Sequence, residues 1–352
     1  MNLLYAYRYG IVGGVSTQLL LRQQALARHG HRCDLFFSQD NGLSDVLTSS
    51  QGVYFGRGIS YRATLKRGAY DAVVVIDTPE LIEQSYTGLW RKLPTVWLDV
   101  HTTTANGLSY LARLNHKKLA GVMVPTRYSA SLLYERMPGI EPNVVPNVLD
   151  CDVFTQQGVS GSEPSQTGCR HYIWVGKLDA HKNWRLALIY ARLLKDMFGH
   201  IQLTMVGGYT ASAETGRAFF EMIDKLDLIQ SVRWIDRIDN HALAALYRQC
   251  GKSHGAMLVT SRDESFGMAA AEALMCGCPL ITNDLPVFRE VFPESTMIKR
   301  VDIWQPEQFQ LAAEELAVGV APLACQQMYE HLSSAYGPEA FLAALDVALD
   351  SA

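Results

Sequence analysis

Two carboxylates eight residues apart, Glu264 and Glu272, bracket a stretch whose letters favour a helix start. It runs Ser261-Arg262-Asp263-Glu264-Ser265-Phe266-Gly267-Met268-Ala269 and on to Met275-Cys276-Gly277-Cys278-Pro279. The apolar run Ala256-Met257-Leu258-Val259 before it has strand length and a β-branched end. Good helix formers fill Met268 to Met275, Gly277 sits where a left-handed cap would stop them, and Pro279 follows. Glu264 therefore lies on the loop before a helix, and Glu272 about one turn inside it. The first backbone N–H groups, at Phe266, Gly267, Met268 and Ala269, would face outward at a strand's C-terminal end. Such a place accepts phosphate. Acids beside an anion site conflict unless one ligand serves both. A nucleotide sugar does so: its diphosphate meets the amides, and its ribose and sugar hydroxyls donate to the carboxylates. Without such a ligand the two acids read as a helix cap and a solvated surface charge.

The elements that must position these groups follow the pattern of parallel sheets. The chain has 352 residues, too long for one ordinary core, so two domains are expected, 1–160 and 169–325, with C-terminal helices over 326–352. Leu3 to Tyr7 reads as a strand, Tyr9 to Thr17 as a glycine-bearing turn, Ser16 to His29 as a helix and Arg32 to Phe37 as the next strand. That βαβ start places ligands at strand C-termini. The glycines at 10, 13 and 14 do not make a dinucleotide fingerprint, and no acid ends the expected second strand. The pair Gly13-Gly14 would let backbone approach a ligand without Cβ obstruction. Short buried strands are expected at Val53–Phe55, Ala72–Ile76, Thr95–Leu98, Gly121–Val124 and Asn143–Val145. The Gly/Ser/Gln/Thr-rich stretch 156–168 reads as a linker. Beyond it come strands at His171–Val175, Ile201–Val206, Val232–Ile235, Leu280–Thr282 and Met297–Ile298, and a helical tail from Pro322 broken at Gly337-Pro338.

Composition narrows the classes. Forty-eight percent apolar and 19 percent charged residues suit a globular protein, and no apolar run approaches a membrane span. The N-terminus enters a strand at once, so no signal peptide is expected. Seven cysteines without framework spacing read as reduced thiols in a cytoplasm. Up to Asp150 there are 15 Lys/Arg against 11 Asp/Glu, and 16 against 24 beyond it, which sums to the net −4. The mildly basic front half suits an anionic acceptor or a peripheral membrane contact. No nucleic-acid signature is present.

The block Glu264-Ser-Phe-Gly-Met to Glu272, followed by Ala-Leu-Met-Cys-Gly-Cys-Pro-Leu-Ile-Thr, resembles the Glu-x7-Glu motif of retaining GT-B glycosyltransferases, in particular glycosyltransferase family 4. The segments Val124-Pro-Thr-Arg-Tyr-Ser129 and Val145-Pro-Asn-Val-Leu-Asp150 are similar to that family's domain-closing segments, with Val148 where glycine is usual. The resemblance spans nearly the whole chain and is weakest over residues 41–91. It implies two Rossmann-like parallel-sheet domains facing across a cleft, the first for the acceptor and the second for the nucleotide-sugar donor. It also implies that the last helix, from about Glu339, crosses back to the first domain.

Residue roles follow from the same resemblance. Gly13 and Gly14 would face the donor's diphosphate and sugar, and His101, just past a strand end, would meet the sugar near its reacting carbon. Asp99 is the candidate for holding that histidine. Lys177 and Lys182, on the loop Gly176–Asn183, would take the diphosphate, with Lys177 lacking the guanidinium fork usual at its position. Arg237 and Ile238 would hold the base, largely through backbone. Glu264 would orient the sugar hydroxyls and Glu272 the ribose, with Phe266, Gly267, Met268 and Ala269 offering their amides. The expected reaction moves a sugar from a nucleoside diphosphate, a UDP-sugar first among candidates, to an acceptor hydroxyl. It proceeds with retention, without a metal or other cofactor. Sugar, lipid-linked and small-molecule acceptors all fit. A nucleotide-sugar epimerase, a sugar-phosphate synthase or a silent nucleotide-sugar-binding subunit are the alternatives on the same scaffold.

Overall fold

The computed structural model describes residues 1–47, 49–86, 94–157 and 168–351. They form two compact units, Met1–Val148 with Tyr336–Ala352, and Leu149–Ala335. Most of the expected linker and the expected boundary at 160 lie outside the described residues. The segment from Leu149 on goes with the second unit for a local reason. Phe154 packs against Tyr247 at 6.3 Å between ring centroids, and Arg248 Nη1 donates to the Thr155 carbonyl at 3.0 Å.

The first unit carries β1 (Asn2–Gly10), α1 (Gly14–Arg28), β2 (Arg32–Asp40), β3 (Val53–Phe55), α2 (Tyr61–Gly68), β4 (Ala72–Ile76), α3 (Pro79–Tyr86), β5 (Thr95–Asp99), β6 (Gly121–Val124), α4 (Arg127–Tyr134) and β7 (Asn143–Val144). Its strands pair in parallel in the order β3-β2-β1-β4-β5-β6-β7. Period-2 alternation divides β1 between two cores: Leu3 and Tyr5 pack on the α1 side, Leu4 and Ala6 on the opposite face with Leu65, Leu81 and Leu133. Several boundaries differ from expectation by a few residues, and two of them bear on the site. α1 begins at Gly14 rather than Ser16, and β2 runs on to Asp40, so an acid does end the second strand. Asp40 turns inward to its own loop, where its Oδ2 accepts a 2.5 Å hydrogen bond from Ser44 Oγ.

The second unit continues with β8 (Arg170–Val175), α5 (Trp184–Phe198), β9 (Ile201–Val206), α6 (Ala213–Lys225), β10 (Val232–Ile235), α7 (Asn240–Lys252), β11 (Met257–Val259), α8 (Met268–Met275), β12 (Leu280–Asn283), α9 (Pro286–Val291), β13 (Ile298–Val301), α10 (Pro306–Leu316) and α11 (Pro322–Tyr336). Its parallel order is β10-β9-β8-β11-β12-β13. In both sheets the order reverses beside the first strand, between β1 and β4 and between β8 and β11. Open α/β sheets hold ligands at the carboxyl ends of strands at such reversals. Among the described residues no helix is long and apolar enough to cross a membrane, and all seven cysteines are free thiols.

The last helix, α12 (Pro338–Asp350), packs in the first unit. Phe341, Leu342, Leu345 and Ala348, at helical spacing, join the core beside α1. They also cover a buried charge. Arg22 of α1 is fully buried, with Tyr5 and Phe341 ring centroids 5.7 and 5.2 Å from its guanidinium carbon, and its Nη1 donates to Asp99 Oδ2 at 2.5 Å. Removing one member of a buried ion pair leaves the other uncompensated, at a cost of about 3–5 kcal/mol. Arg22→Met should therefore lower stability in urea unfolding by that order, and adding Asp99→Asn should restore a substantial part. An unchanged midpoint for the single variant would show that the pair does not hold this core together.

Candidate functional site

The reversal in the second sheet brings two loops side by side, the one after β8 and the one after β11. On the first, Asp179 Oδ1 accepts from the Lys182 N–H at 2.8 Å and shapes a turn that ends at Asn183. Asn183 takes a left-handed conformation (φ 53°) at the N-terminus of α5, one that asparagine tolerates better than most residues. Thr260, at the end of β11, ties the loops together: its Oγ1 donates to the Lys182 carbonyl (2.9 Å) and the Asn183 carbonyl (3.1 Å), and accepts from Trp174 Nε1 (3.0 Å). The Arg262 N–H adds a bond to the His181 carbonyl at 2.9 Å.

These ties bring Lys182 and Glu264 into contact. Lys182 Nζ lies 2.5 Å from Glu264 Oε1, and Ser261 Oγ donates to the same oxygen at 2.7 Å. Burial alone would raise the Glu264 carboxyl, but the Lys182 charge and these bonds outweigh it and hold it below its ordinary value. Ser261 is positioned in turn by Asn283, whose amide donates to the Ser261 carbonyl. Lys177, on the same loop as Lys182, is exposed and makes no ion pair among the described residues. Only one of the two expected lysines thus meets the acid.

Helix α8 starts at Met268, as its letters imply, with Gly267 at φ 94° before it and no side chain capping the end. Glycine is required there: a Cβ would collide with Phe288 Cε1, and the conformation is one L-residues rarely adopt. Phe266 buries its ring at the end of this loop, and Ala269 lies in the first turn. Glu272 is only 7 % exposed. Burial, and secondly the charge of Asp150, raise its carboxyl to about 8. Arg237 and Ile238 follow β10, two strands from β8, and the Arg237 guanidinium lies 5.1 Å from the Tyr209 ring centroid. The donor candidates of the second unit therefore share the carboxyl edge of one sheet.

The remaining candidates belong to the first unit. Gly13 is extended, and Gly14 begins α1. A Cβ on Gly13 would meet only Ile11, at an ordinary 3.8 Å, and one on Gly14 would meet nothing within 4 Å. The fold itself does not demand glycine at either place. His101, past the end of β5, points Nε2 at Asp99 Oδ2, 3.1 Å away, and its N–H donates to Asp77 Oδ2 at 3.0 Å. Burial would raise Asp99, yet His101 and Arg22 hold it well below the usual carboxylate range. Burial wins at Asp77, which rises to about 6 despite His101 and the Tyr110 hydroxyl 3.0 Å from its Oδ1.

Arg22, Asp77, Ser261 and Asn283 were not among the sequence-derived candidates. Arg22 left a signal, a charge on the helical face of Leu19, Ala25 and Leu26. Ser261 acts on Glu264 only three residues on, whereas Asp77 and Asn283 act through contacts between distant segments that no local spacing shows.

Residues 160–298 match the family model described as "Glycosyl transferases group 1". A phosphatidyl-myo-inositol mannosyltransferase of Mycobacterium tuberculosis is 22% identical over 351 residues, covering 91% of this chain and 86% of that protein. The O-antigen chain mannosyltransferase RfbU of Salmonella typhimurium is 26% identical over 132 residues, 38% of this chain and 35% of its own length. Among solved structures, Anabaena Alr3699/HepE in complex with UDP-glucose superposes with a TM-score of 0.78 at 14% identity, over 100% of both chains. The pneumococcal O-GlcNAc transferase GtfA, solved with UDP and GlcNAc, gives 0.74 at 11% identity over 99% of each.

Glu272 carries a testable consequence. A carboxyl raised from 4.5 to about 8 makes the folded state bind more protons than the unfolded one between those pH values. Stability is then lost as pH rises through that window. Glu272→Gln should melt with the wild type below about pH 4.5 and above it in temperature near pH 8. A melting difference that does not change with pH would contradict an unpaired, buried Glu272. The matched glycosyl transferase domain and the two parallel sheets identify a glycosyltransferase with the GT-B fold.

Proposed function

We propose that the chain transfers a sugar from a nucleoside diphosphate sugar to an acceptor hydroxyl with retention at the anomeric carbon, using its own cations rather than a divalent ion. The observation that carries this reading is the Lys182–Glu264 pair beside the start of α8, where Gly267 is the cap residue. Breaking a sugar–phosphate bond builds negative charge on the leaving diphosphate. Fixed donors aimed at that charge stabilise it most, because they need no reorganisation as it forms. Lys182, the amides at the start of α8 and, with more freedom, the exposed Lys177 provide such donors.

In this reading Glu264, kept ionised by Lys182, accepts hydrogen bonds from the sugar hydroxyls, and Glu272 accepts from the ribose. Arg237 and Ile238 hold the base. Gly13 and Gly14 leave room for the ligand, and His101, steadied by Asp99, contacts the transferred sugar. Glu264 is committed to Lys182 and Ser261 rather than free to act as a nucleophile. Attack from the face of the departing diphosphate, with the acceptor's proton passing to a phosphate oxygen, fits that arrangement and retains configuration. UDP is the leading nucleotide, in keeping with the UDP complexes of the structural neighbours. The mannosyltransferase relatives favour a sugar-containing or lipid-linked acceptor.

Acceptor-dependent release of nucleoside diphosphate separates a transferase from an epimerase or a silent binding subunit. Lys182→Ala should lower turnover by about 10²–10³-fold, the usual loss when one preorganised donor is removed, and Glu264→Ala should also lower it, by removing the acceptor that positions Lys182. At about 100 times its dissociation constant, a nucleotide should stabilise the wild type by about 2.7 kcal/mol, read as a rise in melting temperature. Full turnover in both variants would rule out this site as the reacting centre.

A further inference from the structure

Beside the Glu264 loop the second sheet carries a cavity of about 650 Å³ that the transfer chemistry does not use. It opens at the carboxyl ends of β12 and β13, and Asn283, Asp284, Arg300, Asp302, Trp304 and Gln308 line it. We propose that it is a saccharide-binding subsite for a neutral sugar unit carried by the acceptor, with Trp304 as the platform for a pyranose ring. The identity of the occupant as acceptor rests on the transferase reading above.

Three observations carry the proposal. Trp304 is 79% exposed, a large flat apolar face left in water. Its loop is nonetheless pinned: Asp302 Oδ1 accepts from the Trp304 N–H at 2.9 Å, Asp302 Oδ2 accepts from Gln305 Nε2 at 2.9 Å, and Gln308 Oε1 accepts from the Asp302 N–H at 2.9 Å. A preordered aromatic surface loses little freedom when a ligand stacks on it. Second, the lining has spare hydrogen-bonding capacity. Asn283 is 6% exposed and its Oδ1 has no partner, while Nε of Arg300 is buried without one. The carboxylates of Asp284 and Asp302 keep lone pairs beyond those already engaged.

Third, the charges balance. Arg300 is committed to Glu294 and to the Phe288 and Phe292 carbonyls, and Asp284 to Arg289. Arg262 alone of the lining cations makes no ion pair among the described residues, and Asp302 offsets it. An anion would meet carboxylates, and a purely apolar ligand would strand the polar groups. A sugar presents one flat C–H face and a rim of hydroxyls, and so matches both halves of the lining. Volumes of this order are usual for small-molecule sites. The cavity is also wired to the reacting site, since Asn283 bonds the Ser261 carbonyl and Ser261 bonds Glu264.

The test uses the whole chain with saturating UDP, so that the donor site is occupied. Mannotriose, maltotriose and chitotriose are titrated against wild type and Trp304→Ala by calorimetry and tryptophan fluorescence. At least one trisaccharide should bind at millimolar concentration, and the variant should bind it about tenfold or more weakly, with an unchanged melting temperature. The proposal is overturned if none of the three binds, if Trp304→Ala binds equally well, or if inorganic phosphate displaces the saccharide. The shift in melting temperature with UDP, read in the same samples, keeps the two readings apart. Its loss tells against the donor site, whereas its retention without saccharide binding tells against this subsite alone.

Discussion

The second unit is arranged so that one ammonium and one carboxylate meet across two neighbouring loops. Lys182 and Glu264 are 82 positions apart in the chain, yet β8 and β11 lie side by side in the sheet and deliver both loops to one edge. The pair is partly shielded from water, which strengthens its attraction but also makes each charge costly to leave alone. The surrounding contacts lower that cost. Thr260 fixes the backbone under Lys182, Ser261 shares the Glu264 oxygen, and Asn283 fixes Ser261.

The same edge shows why glycine recurs there. A Cβ on Gly207 (φ 112°) would run into the Gly176 carbonyl, so the loops after β8 and β9 touch backbone to backbone. Gly267 meets the Phe288 ring in the same way. These glycines serve close packing within the protein. Gly13 and Gly14 are different in kind, since neither a neighbouring atom nor a positive φ requires them. In the proposed reaction that open space is what the donor would occupy.

Elements whose signal is local were legible in the sequence. β3, β4, β6, β9, β10 and α8 lie where apolar runs, turn residues and helix formers put them. The helical tail likewise breaks at Gly337-Pro338, where proline at the first helical position favours a new start. Strand ends were less legible, because pairing with a neighbour extends them: β2 reaches Asp40 through register with β1. Least legible were the supports of the site. Arg22, Asp77 and Asn283 matter through partners 22 to 77 residues away, and only the assembled sheets create those contacts.

The two acids that mark the stretch after β11 end in opposite electrostatic states. Glu264 has a cation and a hydroxyl, and stays ionised. Glu272, one turn inside a helix of small apolar residues, has neither, and burial raises it toward neutrality. A buried carboxyl without a partner is a standing cost, and nothing in the packing of α8 compensates for it. Such a cost is understandable where a ligand completes the site. Two adjacent ribose hydroxyls donating to Glu272 would favour its charged form and return part of the lost solvation. Under the proposed reaction the two acids would therefore do different work: one is charged in advance by the protein, and the other would gain its hydrogen-bond donors only with the substrate.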